Sequence, residues 1–288
     1  MNRKVWLVTG CSTGFGREIA KHLIDTGHNV VVTARRPEQL QDLEIGHEDR
    51  VLAIALDVTK PKDIENVIEG TLRRFGKIDV LVNNAGIGYF GSFEESEPAK
   101  ARQLFEVNFW GLAAMIRAVL PTMRAQRSGT IVNITSMGGI VSFPALSFYN
   151  ASKYAVEGLS EAIALEVGPL GIKVLIVEPG PFRTDWAGRS ADEAPQTISD
   201  YELTAGARSH DMRQRSGRQT GDPVRAAVLI VEAAEDPNSP AHLVLGKSAV
   251  DVILKKLNWF KESVEALQAK SISADFPEHF GKIPGQNW

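Results

Sequence analysis

The sequence predicts a doubly wound α/β fold with a seven-stranded parallel sheet and helices on both of its faces. Six short apolar runs between residues 4 and 177 alternate with segments of helical period. A seventh apolar run follows at residues 241–245. Most of these runs are apolar at nearly every position, as expected for strands that are buried on both faces of a sheet.

Length and composition set the domain organisation. The chain of 288 residues is 43% hydrophobic and 23% charged, enough for one large domain with a sizeable core. We expect a single domain over residues 1–288, with a substrate lid at residues 185–222 and a C-terminal helix and tail at residues 246–288. The formal net charge of -3 gives no electrostatic reason to expect a nucleic acid or an anionic membrane as partner.

Targeting signals and cysteines point to the cytoplasm. We expect no membrane span, because no apolar run approaches ~18 residues, and no signal peptide, because the first strand begins by Val5. Cys11 is the one cysteine, so an internal disulfide is excluded and a reduced cytosolic location is the simplest expectation.

The first strand runs into a glycine turn and a helix. Residues 4–10 are apolar and end in Gly10, while Gly14 and Gly16 precede the amphipathic segment 17–24. This order is the fingerprint of a dinucleotide site. Gly10 permits the tight turn, Gly14 lets the backbone approach a pyrophosphate, and Gly16 lets helix and strand pack closely. A plain loop can also hold three glycines, but the flanking strand and helix favour the binding site.

Two arginines follow the second strand, residues 29–33. Arg35 and Arg36 stand where an NAD site usually has an acidic residue that holds the ribose 2′-hydroxyl. An arginine there accommodates a 2′-phosphate instead. We therefore expect NADP(H) to be favoured over NAD(H), with Arg35 as the main contact and Arg36 as a second one. The alternative is a solvated basic loop, because most arginines face water.

The third and fourth strands, residues 50–56 and 78–82, end in polar residues at the same edge of the sheet. Asp57, which is followed by Val58, can reach an adenine amine or cap the next turn. The segment Asn83-Asn84-Ala85-Gly86 has small side chains that let the main chain lie against a flat ring. An ordinary asparagine–glycine turn gives the same pattern.

The segments between the strands have apolar residues at helical spacing. One of them places Asn108 among apolar neighbours, which is costly unless its amide is bonded locally or serves a site. Its residues 109–120 are apolar over most of the circumference, which indicates burial beneath the sheet or in a subunit contact. The predicted helices are residues 17–24, 61–75, 98–123, 147–167, 223–235 (capped by Asp222) and 251–269.

The segment 136–153 carries the predicted chemistry. Ser136 follows the fifth strand, so its hydroxyl lies at a strand's carboxyl end, where open α/β sheets keep their ligand sites. Tyr149 and Lys153 are four residues apart on a predicted helix and share one face. A neighbouring cation favours the phenolate, so the lysine is expected to bring the phenol toward a working pH as a general acid or base. In isolation, such a pair is also a common surface feature.

Together these motifs make the sequence similar to the short-chain dehydrogenase/reductase family over residues 9–184. The matching residues, in the family's order, are Thr9, Gly10, Gly14, Gly16, the Asn-Asn-Ala-Gly segment 83–86, Asn108, Ser136, Tyr149 and Lys153. The resemblance implies a Rossmann sheet of seven strands, a nicotinamide cofactor and a homodimer or homotetramer. It extends weakly to hydroxysteroid-dehydrogenase-like members.

The resemblance also implies individual roles. Tyr149 would be the general acid/base, Ser136 would orient the substrate oxygen, and Lys153 would lower the pKa of Tyr149 and hold the nicotinamide ribose. Asn108 would support a water-linked proton path. No metal ligands are predicted. The implied cofactor contacts are Gly10, Ser12, Thr13, Gly14, Phe15, Gly16, Arg35, Asp57, Val58, Asn84, Ala85, Gly86, Tyr149, Lys153, Pro179, Gly180 and Thr184.

Residues 185–222 are polar and irregular, and they follow the sixth strand, so we interpret them as a mobile substrate lid. The alternative is a tethered surface loop. Four of its arginines, at 208, 213, 215 and 218, can bind an acidic substrate tail, although a solvated loop is the simpler interpretation. We expect His242 to be packed rather than catalytic. The candidate pocket walls are Phe90, Phe143, Leu146, Phe148, Trp186, Ile198, Tyr201, Leu203 and Met212.

The sequence therefore predicts an NADP(H)-dependent oxidoreductase that interconverts a carbonyl and a secondary alcohol on a partly apolar small molecule. One alternative is an NAD-linked alcohol dehydrogenase that works mainly in the oxidative direction. Another is a non-enzymatic module that senses NADP(H). The intact set of Asn108, Ser136, Tyr149 and Lys153 argues against the sensor, because a sensor needs no acid/base pair.

Overall fold

In a computed structural model of the protein, residues 3–276 are described. The strands are β1 Val5–Val8, β2 Asn29–Ala34, β3 Val51–Ala55, β4 Val80–Asn83, β5 Gly88–Phe90, β6 Gly129–Ile134, β7 Ile172–Pro179, β8 Ala191–Glu193 and β9 His242–Leu245. The α-helices are α1 Gly14–Asp25, α2 Gln41–Glu44, α3 Pro61–Phe75, α4 Pro98–Phe105, α5 Leu112–Gln126, α6 Ser147–Val167, α7 Ala207–Gln214, α8 Pro223–Glu235 and α9 Lys247–Ile272. The tail predicted to follow α9 lies largely outside the described residues.

Seven strands form one parallel sheet in the order β3-β2-β1-β4-β6-β7-β9. From β1 the chain first moves outward to β3, then returns to β4 on the other side of β1 and proceeds outward to β9. This reversal opens a crevice at the carboxyl ends of β1 and β4, where such sheets bind ligands. The doubly wound fold expected from the sequence is confirmed.

Alternate residues of the central strands belong to two separate hydrophobic cores, one on each face of the sheet. Trp6 and Val8 of β1 pack with residues of α1 and α8 on one face of the sheet. Leu7, between them, packs with residues of α3, α5 and α6 on the other face. Because successive strand residues point to opposite faces, a strand buried on both sides must be apolar throughout.

The segment Pro98–Gln126 is continuously helical, with the π-helical turn Glu106–Gly111 joining α4 to α5. An 18-residue window within it has a mean hydropathy of 1.3, so by length and composition the helix could cross a membrane, and our expectation that no apolar run approaches a span was wrong by this measure. A buried core helix has the same composition. Met115, Val119 and Met123 are fully buried against the sheet, as expected for such a helix.

A second, two-stranded sheet was not predicted. Strand β5 pairs in parallel with β8, and so ties the start of residues 185–222 to the segment that follows β4. Gly88 makes this pairing possible, because a Cβ there would lie 2.7 Å from the Cβ of Ala191. Three-residue strands are too short to show a period in the sequence.

The segment 185–222, which we call the lid, is more ordered than the sequence suggested. It contains β8, α7 and a π-helical turn, Glu202–Gly206. The Arg213 guanidinium donates to the carbonyls of Ala187 (2.9 Å), Gly188 (2.8 Å) and Ala191 (2.9 Å). It also lies 5.1 Å from the centre of the Phe90 ring. The expectation of an irregular segment was wrong, because one half-buried cation, Arg213, binds three backbone carbonyls.

We expect Arg213→Ala to loosen the lid. Losing charge-assisted bonds to three carbonyls should lower the free energy of local opening by about 2 kcal/mol, a roughly 30-fold increase in the open population. Limited digestion with thermolysin measures this as faster cleavage within residues 185–222. Arg189→Ala is the control, because Arg189 is exposed and, within residues 3–276, pairs with Asp185 alone. Equal cleavage rates in the two variants would show that Arg213 does not hold the lid in place.

Candidate functional site

A cavity of about 1110 Å³ lies at the carboxyl end of the sheet. Its lining comes from the turns after β1, β2, β3 and β4, from the segment around α6, and from the lid. Strands β2 and β3 lie on one side of β1, and β6 and β7 lie on the other. The residues after β2 and those of α6 therefore lie at opposite ends of the cavity. The cavity is therefore long enough to separate a nucleotide end from a reaction end.

The glycine turn has the geometry that its sequence predicted. Gly10 and Gly14 have φ of 72° and 61°, in the left-handed region that favours glycine. A Cβ on Gly16 would lie 2.4 Å from Asn84 Nδ2 and 2.5 Å from the Gly10 carbonyl oxygen. The third glycine thus brings α1 against the turn, and it does not itself line the cavity.

The side chain of Asn84, which directly follows β4, holds this turn in place. Its amide nitrogen donates to the carbonyls of Thr9 (2.9 Å) and Gly10 (3.0 Å). The Thr9 hydroxyl accepts in return from the backbone N–H of Asn84 (2.9 Å) and of Ala85 (3.0 Å). The two motifs form one hydrogen-bonded unit, so the asparagine–glycine segment is more than a simple turn.

The start of α1 is open to a ligand. Thr13, at the N-cap position, makes no side-chain cap, and no other side chain in the described part of the chain accepts from the first N–H groups of the helix. Ser12, Thr13, Gly14 and Phe15 all line the cavity beside these groups. A pyrophosphate fits here, because a helix N-terminus offers N–H donors and a positive dipole end to an anion.

The nucleotide end is lined by Arg35, Asp57 and Val58, whereas Arg36 does not reach it. The Arg35 side chain is exposed at the cavity wall. The Asp57 carboxylate accepts from the N–H (3.0 Å) and the hydroxyl (2.7 Å) of Thr59. Of the two roles considered for Asp57, the structure shows the turn cap.

Three of the four predicted catalytic residues line the reaction end: Ser136, Tyr149 and Lys153. The Ser136 hydroxyl accepts from the N–H of Gly138 at 2.9 Å, which fixes the oxygen and leaves its proton available to a ligand. Tyr149 and Lys153 are only 7% and 6% exposed. The Lys153 ammonium donates to the Ile134 carbonyl at 2.9 Å and lies 5.9 Å from the centre of the Tyr149 ring.

The pKa values of this pair differ from our expectation. Burial raises the pKa of Tyr149 to about 12, and the Ser136 hydroxyl opposes the shift. Burial lowers the pKa of Lys153 to about 8, and the charge of Glu157 opposes that shift. The prediction that Lys153 lowers the pKa of Tyr149 was wrong for the chain alone, because desolvation dominates and the ammonium is bonded to Ile134. The phenol therefore holds its proton at neutral pH.

Asn108 does not line the cavity. It lies in the π-helical turn, 1% exposed. Its amide oxygen accepts from the N–H of Ile87 (2.8 Å), and its amide nitrogen donates to the Ile87 carbonyl (3.0 Å) and toward Ser152 Oγ (3.3 Å). Its side chain therefore holds the strand that follows Gly86. The water-linked proton path stays a prediction.

The remaining predicted cofactor contacts, Pro179, Gly180 and Thr184, line the cavity together with Gly10 and the segment Asn84–Gly86. Four predicted wall residues also do so: Phe143, Leu146, Trp186 and Met212. The Trp186 ring lies 4.8 Å from that of Tyr149, so the reaction end has an aromatic wall.

Five predicted wall residues do not line the cavity. Phe90 is fully buried behind Trp186, with ring centres 5.4 Å apart, and Phe148 stacks on Phe93 instead. Leu203 is 90% exposed. Ile198 and Tyr201 also lie outside the lining. The sequence missed other lining residues, on α4, the π turn and α9, because only the fold brings them there: Gln103, Glu106, Val107, Ser248 and Val252.

The four lid arginines separate into two groups. Arg208, Arg215 and Arg218 line the cavity, and Arg208 lies 5.3 Å from the centre of the Phe143 ring. Arg213 is the lid anchor described above. Asp211 pairs with both Arg208 (3.6 Å) and Arg215 (2.6 Å), so part of the positive charge is already neutralised.

Comparison with known proteins gives full-length relatives. The chain is 36% identical over 273 residues to the oxidoreductase BOA17 of Botryotinia fuckeliana, covering 94% of this chain and 99% of that one. It is 35% identical over 265 residues to a 3-ketodihydrosphingosine reductase of Bacteroides thetaiotaomicron, covering 92% and 96%.

Solved structures show the same similarity. A short-chain dehydrogenase from Streptomyces avermitilis is 44% identical, with a TM-score of 0.89 and coverage of 96% of this chain and 100% of that one. A short-chain dehydrogenase/reductase from Burkholderia phymatum in complex with NAD is 25% identical, with a TM-score of 0.79 and coverage of 92% and 95%. The family model of short chain dehydrogenases matches residues 4–195. The chain belongs to the short-chain dehydrogenase/reductase family of oxidoreductases.

Proposed function

We propose that this chain is an NADP(H)-dependent oxidoreductase that interconverts a carbonyl and a secondary alcohol, with Tyr149 as the general acid/base. The observation that carries the proposal is the meeting of Ser136, Tyr149 and Lys153 at one end of a cavity whose other end holds the glycine turn and Arg35. The homo-oligomer and the cytoplasmic location stay predictions.

The residues present fit a nicotinamide dinucleotide. The glycine turn leaves room for a backbone approach, the uncapped start of α1 offers N–H donors to a pyrophosphate, and the exposed Arg35 at the cavity wall can bind a 2′-phosphate. When bound, the cofactor supplies or accepts the hydride.

The chain's own residues handle the proton and orient the substrate. The Ser136 hydroxyl, fixed by Gly138, can donate to a substrate oxygen. The phenol of Tyr149 holds its proton at neutral pH and can transfer it to the same oxygen during carbonyl reduction. In the oxidative direction this phenol must first lose its proton, so we expect alcohol oxidation to become faster as the pH rises.

The substrate end is partly apolar, with Phe143, Leu146, Trp186 and Met212 in its wall. This favours a substrate with an apolar body beside the reacting carbon. The Bacteroides relative is named for the reduction of a keto compound, which is consistent with this proposal. The hydroxysteroid-dehydrogenase-like subtype stays a prediction.

The direct test is a panel of ketones with NADPH or NADH and of alcohols with NADP or NAD, read at the nicotinamide absorbance. Reduction of ketones with NADPH would support the proposal. Turnover mainly of alcohols with NAD would favour the NAD-linked alternative, and cofactor binding without any turnover would favour the sensor.

We expect Arg35→Glu to reverse the cofactor preference. Losing a charge-assisted bond to the 2′-phosphate costs about 1.5–3 kcal/mol, or roughly 10–150-fold in Kd for NADPH. The Kd for NADH should not increase. Fluorescence titration measures both values. Arg36→Glu is the matched control, and its effect should be smaller because Arg36 does not line the cavity. An unchanged preference in Arg35→Glu would overturn the assignment.

A further inference from the structure

A cluster of ionisable side chains lies behind the reaction end, outside the cavity lining. It joins Glu157 of α6, Glu178 of β7 and His242 of β9. His242 Nδ1 lies 2.6 Å from Glu178 Oε1 and 4.0 Å from Glu157 Oε2, and its Nε2 lies 3.7 Å from Glu161. The side chains of Glu157 and Glu178 are only 8% and 0% exposed. Nothing in the proposed reaction uses them directly.

The hydrogen bonds around Thr135 indicate where a proton lies. The Thr135 hydroxyl oxygen is 2.5 Å from Glu157 Oε1 and 2.9 Å from the Val177 carbonyl oxygen. One hydroxyl proton cannot serve two acceptors. If Glu157 is protonated, it donates to Thr135 while Thr135 donates to Val177, and each bond has its proton. Burial raises the pKa of Glu157 to about 7, so both forms are present near neutral pH.

Glu157 is also linked to two of the reaction residues, Ser136 and Lys153. Thr135 directly precedes Ser136, so its bond to Glu157 holds the strand end that carries the serine. Lys153 lies one helical turn before Glu157, and the negative charge of Glu157 raises the pKa of Lys153 against the effect of burial. Gly139 fits between them, because a Cβ there would lie 2.8 Å from Glu157 Oε1 and 3.1 Å from the Lys153 carbonyl oxygen.

We propose that Glu157 is a positioning residue for the acid/base site, which anchors Thr135 beside Ser136 and places a negative charge one helical turn from the Lys153 ammonium. The functional part of this inference rests on the function proposed above. Glu157 is faced by Glu178, His242 and Glu161, and Lys153 lies one helical turn before it on α6.

The charge of Glu157 acts on Lys153 through their spacing on α6. When Glu157 is ionised, its negative charge lies one helical turn from the ammonium and favours the protonated form of Lys153, so the ammonium is retained to higher pH. Without that charge, the folded-state pKa of Lys153 falls, and the ammonium is lost at a lower pH.

The test is a direct titration of Lys153. The full chain is labelled with ¹³C-lysine, and the Cε resonance of Lys153, identified by its absence in Lys153→Met, is followed against pH in buffers containing EDTA. We expect Glu157→Gln to lower the midpoint by about 1 pH unit. Glu161→Gln is the matched control on the same helix, and its midpoint should stay at the wild-type value.

A second variant keeps the inference testable if Glu157→Gln does not fold. His242→Gln removes the cation that favours ionised Glu157, so Glu157 should stay protonated to higher pH and the Lys153 midpoint should again fall. The side chain of His242 is 42% exposed, and the glutamine amide can donate to the buried Glu178 carboxylate in place of the imidazole. An unchanged or raised Lys153 midpoint in the variant measured would overturn the inference.

The pH profile of carbonyl reduction separates this inference from the proposed function. In Glu157→Gln the decline of kcat/KM at alkaline pH should begin about 1 unit lower than in the wild type. If Glu157→Gln lowers the Lys153 midpoint but the wild-type protein reduces no carbonyl compound, the proposed function is wrong and the Glu157–Lys153 coupling stands. If the wild-type protein reduces carbonyl compounds and the midpoint is unchanged in Glu157→Gln, only the coupling is wrong.

Discussion

Replacing Tyr149 with phenylalanine is expected to lower kcat for carbonyl reduction by about 10²–10⁴-fold, the usual contribution of a positioned general acid. The change removes only the hydroxyl and keeps the ring that packs 4.8 Å from Trp186. The affinity for NADPH should stay the same, because the glycine turn and Arg35 are untouched. Single-turnover kinetics and a fluorescence titration with NADPH measure the two effects separately.

Tyr154→Phe is the matched control. Tyr154 lies on the same helix, is 40% exposed and donates its hydroxyl to the Ile140 carbonyl, outside the cavity lining. Its loss should leave kcat unchanged. If Tyr149→Phe reduced carbonyl compounds at the wild-type rate, the assignment of the acid would be wrong and another proton donor would have to be sought.

Features with a local signature could be predicted from the sequence. Strand β1 and the glycines after it are contiguous, so their pattern predicted the turn, in which Gly10 and Gly14 have positive φ. The Asp222 cap of α8 was predicted in the same way, and its carboxylate accepts from the N–H of Val224 at 2.9 Å. The doubly wound order followed from alternating strands and helices.

Features made by residues distant in sequence could not be predicted. Arg213 looked like one member of a charged loop, yet it binds carbonyls more than 20 residues away. Lys153 was expected to act on Tyr149, four residues before it, but its ammonium is bonded to the Ile134 carbonyl, 19 residues away. A sequence shows which groups can pair along a helix, but it does not show which carbonyl a neighbouring strand presents to them.

The same limit applies to Asn84. Its position suggested a small-residue segment against a flat ring, whereas its amide binds the Thr9 and Gly10 carbonyls. The dinucleotide turn is therefore held by contacts from β4 as well as by its own glycines. A change that disturbs this contact should affect stability and cofactor binding together.

Gly16→Ala is that change, and we expect it to cost about 1–3 kcal/mol in the free energy of unfolding. The added Cβ would lie 2.5 Å from the Gly10 carbonyl oxygen and 2.4 Å from Asn84 Nδ2. Neither atom can retreat alone, because they are bonded to each other at 3.0 Å. The turn must shift as a unit, so the Kd for NADPH should rise about tenfold or more, equivalent to at least about 1.4 kcal/mol.

Gly158→Ala is the matched control, since Gly158 also lies in a helix but has open space where its Cβ would be. There, alanine should stabilise the chain by up to about 1 kcal/mol, because it is the better helix former. Urea unfolding and NADPH titration of both variants give the comparison. Equal stability and equal affinity in the two variants would show that the contact between α1 and the turn is loose, and that Gly16 is not needed to shape the nucleotide end.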